Sequence, residues 1–195
     1  IGKIMTNSRS KTETLSKTTK TYLQELAIEE MYGKRKEFSS KYTDKGNQVE
    51  DDGIKLCESV LDLGFMYKNE EHFTNDFLTG TPDVNTDIIL DVKSSWDATT
   101  FPFFADDIPN KDYFYQLQGY MALTGKRKSY LCYCLINTPE LMVEDEVRRA
   151  HWKENLIDES EELRNHVEAQ HNFNNIPTER RIKTFEVRYD KDVVK

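Results

Sequence analysis

Asp83, Asp91 and Lys93 are the residues of this chain whose types and spacing could do chemistry. Asp83 ends a Gly80-Thr81-Pro82-Asp83 turn, and Asp91-Val92-Lys93 begins eight residues after it. Two carboxylates held together suit a hard divalent cation, because unpaired buried charge is costly and an oxygen-ligated ion relieves it. A lysine beside them would supply positive charge or a proton-transfer group. The connecting residues show how they could meet. Asp83-Val84 leads into Asn85-Thr86, good turn formers, and out into residues 87–93, a β-branched and aliphatic run that reads as a buried strand. Alternation puts Ile88, Leu90 and Val92 on one face and Ile89, Asp91 and Lys93 on the other. Asp91 and Lys93 therefore point the same way, roughly 6–7 Å apart along the strand. A bare D-x-K is common by chance, and alone it favours a surface ion pair at a strand end.

The elements around this hairpin must position its charges. Val49, Ile54, Leu56, Val60 and Leu61 recur with helical spacing, which predicts a helix over 47–63, closed by Gly64, with Glu50 one turn in beside the apolar stripe. A second helix is predicted over 112–123, stopping at Gly125, with Gln116 and Tyr120 on one face. Ser16 or Thr14 could cap an earlier helix over 17–31, in which Leu23, Leu26, Ala27 and Met31 are spaced for one buried face and Gly33 ends the run. Short strands over 65–67 and 73–78 lead into the hairpin. Lys126-Arg127-Lys128 hands over to a strand at 129–136, residues 139–172 read as one long helix or a kinked pair, and 182–187 as an edge strand. The loop 99–110, with Phe101, Phe103 and Phe104, reads either as a wall beside the site or as local packing. The expected class is α/β, a mixed central β-sheet of about four or five strands flanked by α-helices, in one domain over 1–195.

In order, then, the chain offers a helix glutamate in Lys45-Gly46-Asn47-Gln48-Val49-Glu50, the pair Pro82-Asp83, Asp91-x-Lys93, and Gln116-x-Gln118. These motifs resemble the PD-(D/E)XK nuclease superfamily, in the branch of phage lambda exonuclease and the YqaJ-type viral recombinases, from Ile4 to about Val193. The resemblance implies a restriction-endonuclease-like core and Mg²⁺- or Mn²⁺-dependent hydrolysis of double-stranded DNA from an end, in the 5′ to 3′ direction. It assigns the metal to Asp83, Asp91 and the backbone carbonyl of Val92, with Glu50 ligating directly, through water, or at a second ion. Lys93 would hold or deprotonate the attacking water and offset charge on the phosphate, while Gln116 and Gln118 would orient the site or contact substrate. Thr81 stands where a small hydroxyl residue helps bind a terminal phosphate. Arg9, in the basic N-terminal segment, and Lys126, Arg127 and Lys128 are the further candidates for contact with DNA.

There are two departures. Asp91 stands where glutamate is common. The Arg and the Ala-Ser pair that relatives place just before the position of Ile1, to hold a 5′-phosphate, are absent, and a chain without an initiator Met is expected to lack a short N-terminal piece. Relatives pair with a single-strand annealing protein and form rings around DNA, so such a protein and a homo-oligomer are the implied partners. The cytoplasm of a bacterial host is the implied location. The rival readings are a PD-(D/E)XK endonuclease of restriction, repair or junction-resolving type, and a DNA-binding module with a degenerate nuclease fold. The intact set of Glu50, Asp83, Asp91 and Lys93 disfavours the second.

The 195 residues carry a net charge of −8, which is unhelpful to a nucleic-acid binder unless it is unevenly spread. It is so spread. Residues 1–45 hold ten Lys and Arg, among them Arg9 and the run 34–36, against six acids, whereas residues 140–175 hold ten acids against four bases. Such asymmetry suits a protein that presents one face to a phosphate backbone. The three cysteines are odd in number, and Cys132 and Cys134 sit in an apolar run, so reduced packing residues are expected and a four-cysteine iron–sulfur site is excluded. The four histidines have no metal-ligand spacing, which favours an all-oxygen Mg²⁺ or Mn²⁺ site over zinc. No serine sits in a nucleophile elbow, no Gly-rich phosphate loop occurs, and no apolar run approaches a membrane span.

Overall fold

The computed structural model describes residues 2–35, 39–156, 158 and 160–194, so Lys36 of the basic run lies outside the described residues. Four strands form the central sheet: β3 (Val84–Asn85), β4 (Ile89–Ser94), β5 (Lys128–Cys134) and β6 (Ile182–Arg188), in the order β3-β4-β5-β6. The β4–β5 pair is parallel and the two outer pairings are antiparallel, so the sheet is mixed as expected. Ahead of it, β1 (Phe73–Thr74) and β2 (Thr79–Gly80) make a separate small hairpin. The helices are α1 (Lys17–Tyr32), α2 (Lys41–Val60), α3 (Lys111–Thr124), α4 (Glu140–Lys153) and α5 (Glu161–His171). Helix α3 lies within the crossover that a parallel β4–β5 pair requires. No helix among the described residues is long and apolar enough to cross a membrane.

The alternation of β4 decides what covers each face of the sheet. Leu90 and Val92 join Val49, Ile54 and Cys57 of α2 in one core. Ile89 joins Leu117 and Met121 of α3, with Leu131, in a second core on the opposite face. Helix α2 comes close because Gly53 has no side chain: a Cβ there would lie 2.6 Å from Val92 Cγ1. This approach brings Glu50, three residues earlier, down towards the D-x-K strand.

Several expectations change in the folded chain. Helix α2 begins at Lys41 rather than near 47, because Ser40 accepts from the Thr43 N–H while Thr43 Oγ1 accepts from the Ser40 N–H, a reciprocal cap. Residues 65–67 form no strand, and the stretch 73–78 is instead the first strand and turn of the β1–β2 hairpin. The region 139–172 is two helices, with Asn155 at φ 54° between them. Helix α1 has the predicted Ser16 cap and Gly33 stop, but not the predicted buried face. Leu23, Leu26 and Met31 are 43%, 40% and 74% exposed, and within α1 only Thr19 is buried. The helix is tied at its start by Thr19 Oγ1 donating to the Lys3 carbonyl at 3.0 Å and at its middle by the Lys3–Glu25 ion pair, and its apolar spacing faces solvent. The cysteines are free and buried, as expected of packing residues. Phe101 packs with Leu135 and Phe173, which makes its part of the 99–110 loop local packing, whereas Phe104 is fully displayed.

Candidate active site

Asp83 leaves the β1–β2 hairpin, Asp91 and Lys93 stand on β4, and Glu50 reaches in from α2. Asp91 is 1% exposed, and Lys93 Nζ lies 2.5 Å from its Oδ2. The other Asp91 oxygen, Oδ1, is buried without a hydrogen-bond partner. The two side chains thus meet as the strand parity required, in a buried pair and not at the surface. Asp83 Oδ2 accepts the Val92 N–H at 2.7 Å, which fixes the first aspartate against the strand that carries the second.

The charges act on one another. Burial, and then the charge of Asp91, raises the Asp83 carboxyl from 3.8 to about 7, against the pull of Lys93 and the Val92 N–H. Burial also raises Asp91, with Lys93 opposing and Glu50 adding to the rise. Burial works to lower Lys93, but the charges of Asp91 and Asp83 outweigh it and hold the ammonium protonated. The Lys93 Nζ also sits over the Tyr113 ring, 5.0 Å from its centroid. Tyr120 is pushed up to about 12, by burial first and by Asp91 next, and its hydroxyl accepts from Gln116 Nε2 at 2.8 Å.

Several residues that position the site were given no role in the sequence reading. Lys68 Nζ pairs with Glu50 Oε1 at 3.2 Å and with Asp51 Oδ1 at 3.3 Å. Its neighbour Asn69 donates its backbone N–H to the Asp83 carbonyl at 2.8 Å and its Nδ2 to the Pro82 carbonyl at 3.0 Å, clamping the Pro-Asp turn. Lys45, fully buried, donates to the carbonyls of Ser95 and Trp96 at 2.8 and 3.0 Å, and burial lowers it to about 8. It ties the start of α2 to the chain leaving β4, just past Lys93. The Lys-Gly of the glutamate motif was the one signal of this in the sequence.

Other candidates lie elsewhere. Gln118 is buried with both ends of its amide engaged: Nε2 donates to the Arg188 carbonyl, and Oε1 accepts the Asp190 N–H, each at 2.8 Å. It clamps the end of β6 and is not brought to the carboxylates. Gln118→Leu leaves a carbonyl and an N–H unpartnered, so it is expected to cost about 1–3 kcal/mol. The check is a melting curve, and an unchanged curve would remove the clamp. Lys126 Nζ donates to the Thr86 carbonyl, Arg127 stacks 4.4 Å from the Tyr189 ring centroid, and Lys128 pairs with Glu186 at 3.0 Å. Because Ile89 is level with Ser129, Lys128 sits roughly 17 Å along the sheet from Lys93. Arg9 is exposed ahead of α1, with no ion pair among the described residues. Thr81 is exposed, two residues before Asp83, and shares a hydrogen bond with His72.

Among the described residues, no three His, Cys, Asp or Glu side chains are gathered into a group that could hold an ion. Glu50 is drawn to Lys68 and Asp91 to Lys93. The residues nevertheless fit a hard cation in kind: the donors are oxygens, and Asp91 Oδ1 is buried without a partner.

A mixed sheet with a helix on each face, and an aspartate turn packed against a D-x-K strand between them, matches a nuclease-like core. The resemblance seen in the motifs, to PD-(D/E)XK nucleases of the lambda exonuclease type, holds in the fold. The chain is similar to the crystal structure of a phage-related exonuclease from Haemophilus somnus 129PT, at 29% identity and a TM-score of 0.77, covering 99% of this chain and 83% of that one. It has the fold of the alkaline exonuclease LHK-Exo from Laribacter hongkongensis, at 12% identity, TM-score 0.60, and 99% and 76% coverage. The structure of LHK-Exo in complex with dAMP gives 15% identity with the same TM-score and coverage. No protein-family model matches the chain, and no curated protein matches it in sequence.

Proposed function

We propose that this chain is a divalent-metal-dependent deoxyribonuclease that hydrolyses phosphodiester bonds of duplex DNA from an end, in the 5′ to 3′ direction, with residues 1–195 acting as one nuclease domain. The observation that carries the reading is the buried Asp91, with an orphan oxygen, set between Lys93 and the Val92-anchored Asp83. Its likeness to a phage-related exonuclease over nearly the whole chain supports exonuclease-type hydrolysis. The dAMP in the LHK-Exo structure supports nucleic acid as the ligand class.

Asp83, Asp91 and the Val92 carbonyl would hold the ion, with Glu50 joining them directly or through water once Lys68 releases it. When bound, Mg²⁺ or Mn²⁺ supplies a Lewis acid that polarises the scissile phosphate and lowers the pKa of water. The chain's own groups do the rest. Lys93, held as an ammonium between two carboxylates, donates towards the attacking water and offsets charge that grows on the phosphate oxygens. The Val92 N–H keeps Asp83 from rotating away, and Asn69 holds the backbone of the Pro-Asp turn, so neither needs to reorganise during reaction. Gln116 and Tyr120 form a hydrogen-bonded pair beside Gly80, able to meet the sugar or base next to the cut.

Linear and covalently closed duplexes, incubated with Mg²⁺ and with EDTA, test the reading. Linear DNA is expected to lose nucleotides from its 5′ ends only with metal, while closed circles stay intact. Cutting of circles would replace the exonuclease with an endonuclease. Binding without any cutting would leave only the DNA-binding module.

A further inference from the structure

Helix α2 carries a lysine where packing against the sheet calls for an apolar residue. Lys45, Val49 and Gly53 stand four apart on the stripe that meets the sheet, and all three are buried. Val49 is core, and Gly53 admits Val92. Lys45 is 0% exposed, and its ammonium has carbonyls and ring faces for neighbours in place of a carboxylate. It lies 5.7 Å from the Trp96 ring centroid and 5.4 Å from that of Phe173. Asp97 opposes the burial through its charge, yet burial prevails. An ammonium held in this way costs stability that an apolar side chain would not.

What the lysine grips is the far end of the strand that carries the chemistry. Its two bonds, at 2.8 and 3.0 Å, go to the successive carbonyls of Ser95 and Trp96. The Ser95 N–H donates to the Cys134 carbonyl at 2.9 Å, which continues the pairing of β4 with β5 two residues past Lys93. Trp96 is itself buried and meets the His171 ring edge-on, with centroids 5.0 Å apart. Helix α2 is therefore fixed to β4 at two places, Lys45 on Ser95 and Trp96 and Gly53 on Val92. They are eight residues apart on the helix, roughly 12 Å. Glu50 lies between them on the flank of the stripe, where it pairs with Lys68. The Gly53 contact limits how near the helix comes but does not stop it sliding. Two hydrogen bonds from one ammonium are directional, so they fix α2 along the strand as well.

We propose that Lys45 is a positioning residue for Glu50: by holding the carbonyls of Ser95 and Trp96 it sets how far along the D-x-K strand the glutamate stands. The proposal rests on the chain being a metal-dependent nuclease that uses Glu50, and adds the group that places this carboxylate against Asp83 and Asp91. Lys45 touches neither the ion nor the DNA and acts through the helix alone.

The test uses the whole chain and two substitutions, Lys45→Met, which keeps the length and loses the donors, and Lys45→Gln, which keeps an N–H donor on a shorter arm. Each is made alone and together with Glu50→Gln, and digestion of a linear duplex in Mg²⁺ is followed below the melting temperature of every variant. Lys45→Met is expected to lower kcat by about 10²-fold, the size of effect that a misplacement of about 1 Å produces, with KM unchanged. Lys45→Gln should fall between Lys45→Met and wild type. Added to Glu50→Gln, Lys45→Met should cost less than about twofold more, because it acts through the group already removed. Metal-free crystal structures of wild type and Lys45→Met should show the Glu50 backbone displaced along β4 relative to Val92. Should Lys45→Met fail to fold, Lys45→Gln carries the same double-variant and structural comparisons. Wild-type kcat, a loss confined to KM, additive losses with Glu50→Gln, or Glu50 unmoved in the variant structure would overturn the role of Lys45. A chain that cuts nothing would remove the nuclease reading, while a displaced Glu50 in the variant structure would still uphold the hold that Lys45 has on α2.

Discussion

Lys93→Ala is expected to slow cleavage by about 10²-fold or more while leaving metal binding intact or tighter. The lysine is the cation beside Asp91, so its loss removes both the donor to the attacking water and the charge that offsets the phosphate. It also leaves Asp91, 1% exposed, with neither oxygen partnered. Breaking a buried pair on one side costs up to about 3–5 kcal/mol, less whatever the carboxyl recovers by taking a proton. The sign with pH follows from the direction of the Asp91 shift. Its folded pKa is raised by burial, so the associated stability is full at low pH and is lost as pH rises through the folded pKa. Removing Lys93 extends the rise, and the metal-free variant should lose more stability at pH 9 than at pH 5. A divalent ion supplies the missing positive charge, so Mn²⁺ should raise the variant's melting temperature more than the wild type's. Single-turnover cleavage and calorimetric Mn²⁺ titration separate these effects. Cleavage at the wild-type rate would reduce Lys93 to the ionic partner of a buried acid.

Asp83→Asn should stabilise the metal-free protein at pH 8 and abolish its response to metal. Asp83 is raised from 3.8 to about 7 by burial, then by Asp91, so the ionised form is the disfavoured one in the fold. A carboxyl with a raised folded pKa contributes stability that is present below its unfolded value and lost as pH rises through the folded one. Going from 3.8 to about 7 is worth on the order of 4 kcal/mol by pH 8. Asparagine removes the charge but keeps an oxygen to accept the Val92 N–H, so the turn stays anchored. In EDTA the variant should melt several degrees above wild type at pH 8, and the gap should close towards pH 4. Mn²⁺ should raise the wild-type melting temperature and not the variant's. Equal melting at pH 8, or a persisting Mn²⁺ shift in Asp83→Asn, would remove Asp83 from the proposed metal site.

What could be read from the sequence is what rests on local rules. The period of two in β4 assigned Leu90 and Val92 to one core and Ile89 to the other, and put Asp91 and Lys93 side by side. Ser16, Gly33 and Gly125 marked helix ends, because capping depends on residues within one turn. Thr86 marked the turn between β3 and β4, while Asn85 is the last residue of β3 and pairs with Ile89. Helical phase separates the two glutamines: at 3.6 residues per turn, Gln116 and Gln118 point to different sides of α3. One meets Tyr120 and the other clamps β6.

Contacts between distant parts of the chain decided the remainder. Spacing in α1 defined an apolar face but could not say what covers it, and in the fold Leu23, Leu26 and Met31 face solvent. A hydrophobic period constrains only the element's own side chains. Lys68 and Asn69 carry no motif, and they matter because the segment after α2 returns past Glu50 and under the Pro-Asp turn. His72 gains its place from the β1–β2 register, which sets it across from Thr81. The basic residues 126–128 lie along the sheet from Lys93, because the parallel pairing of β4 with β5 puts the start of β5 level with the start of β4. The sequence by itself determined which groups could do the chemistry and which face of the strand they share. The tertiary structure alone decided which cation holds each carboxylate, since partner choice among charges depends on distances that no spacing along the chain specifies.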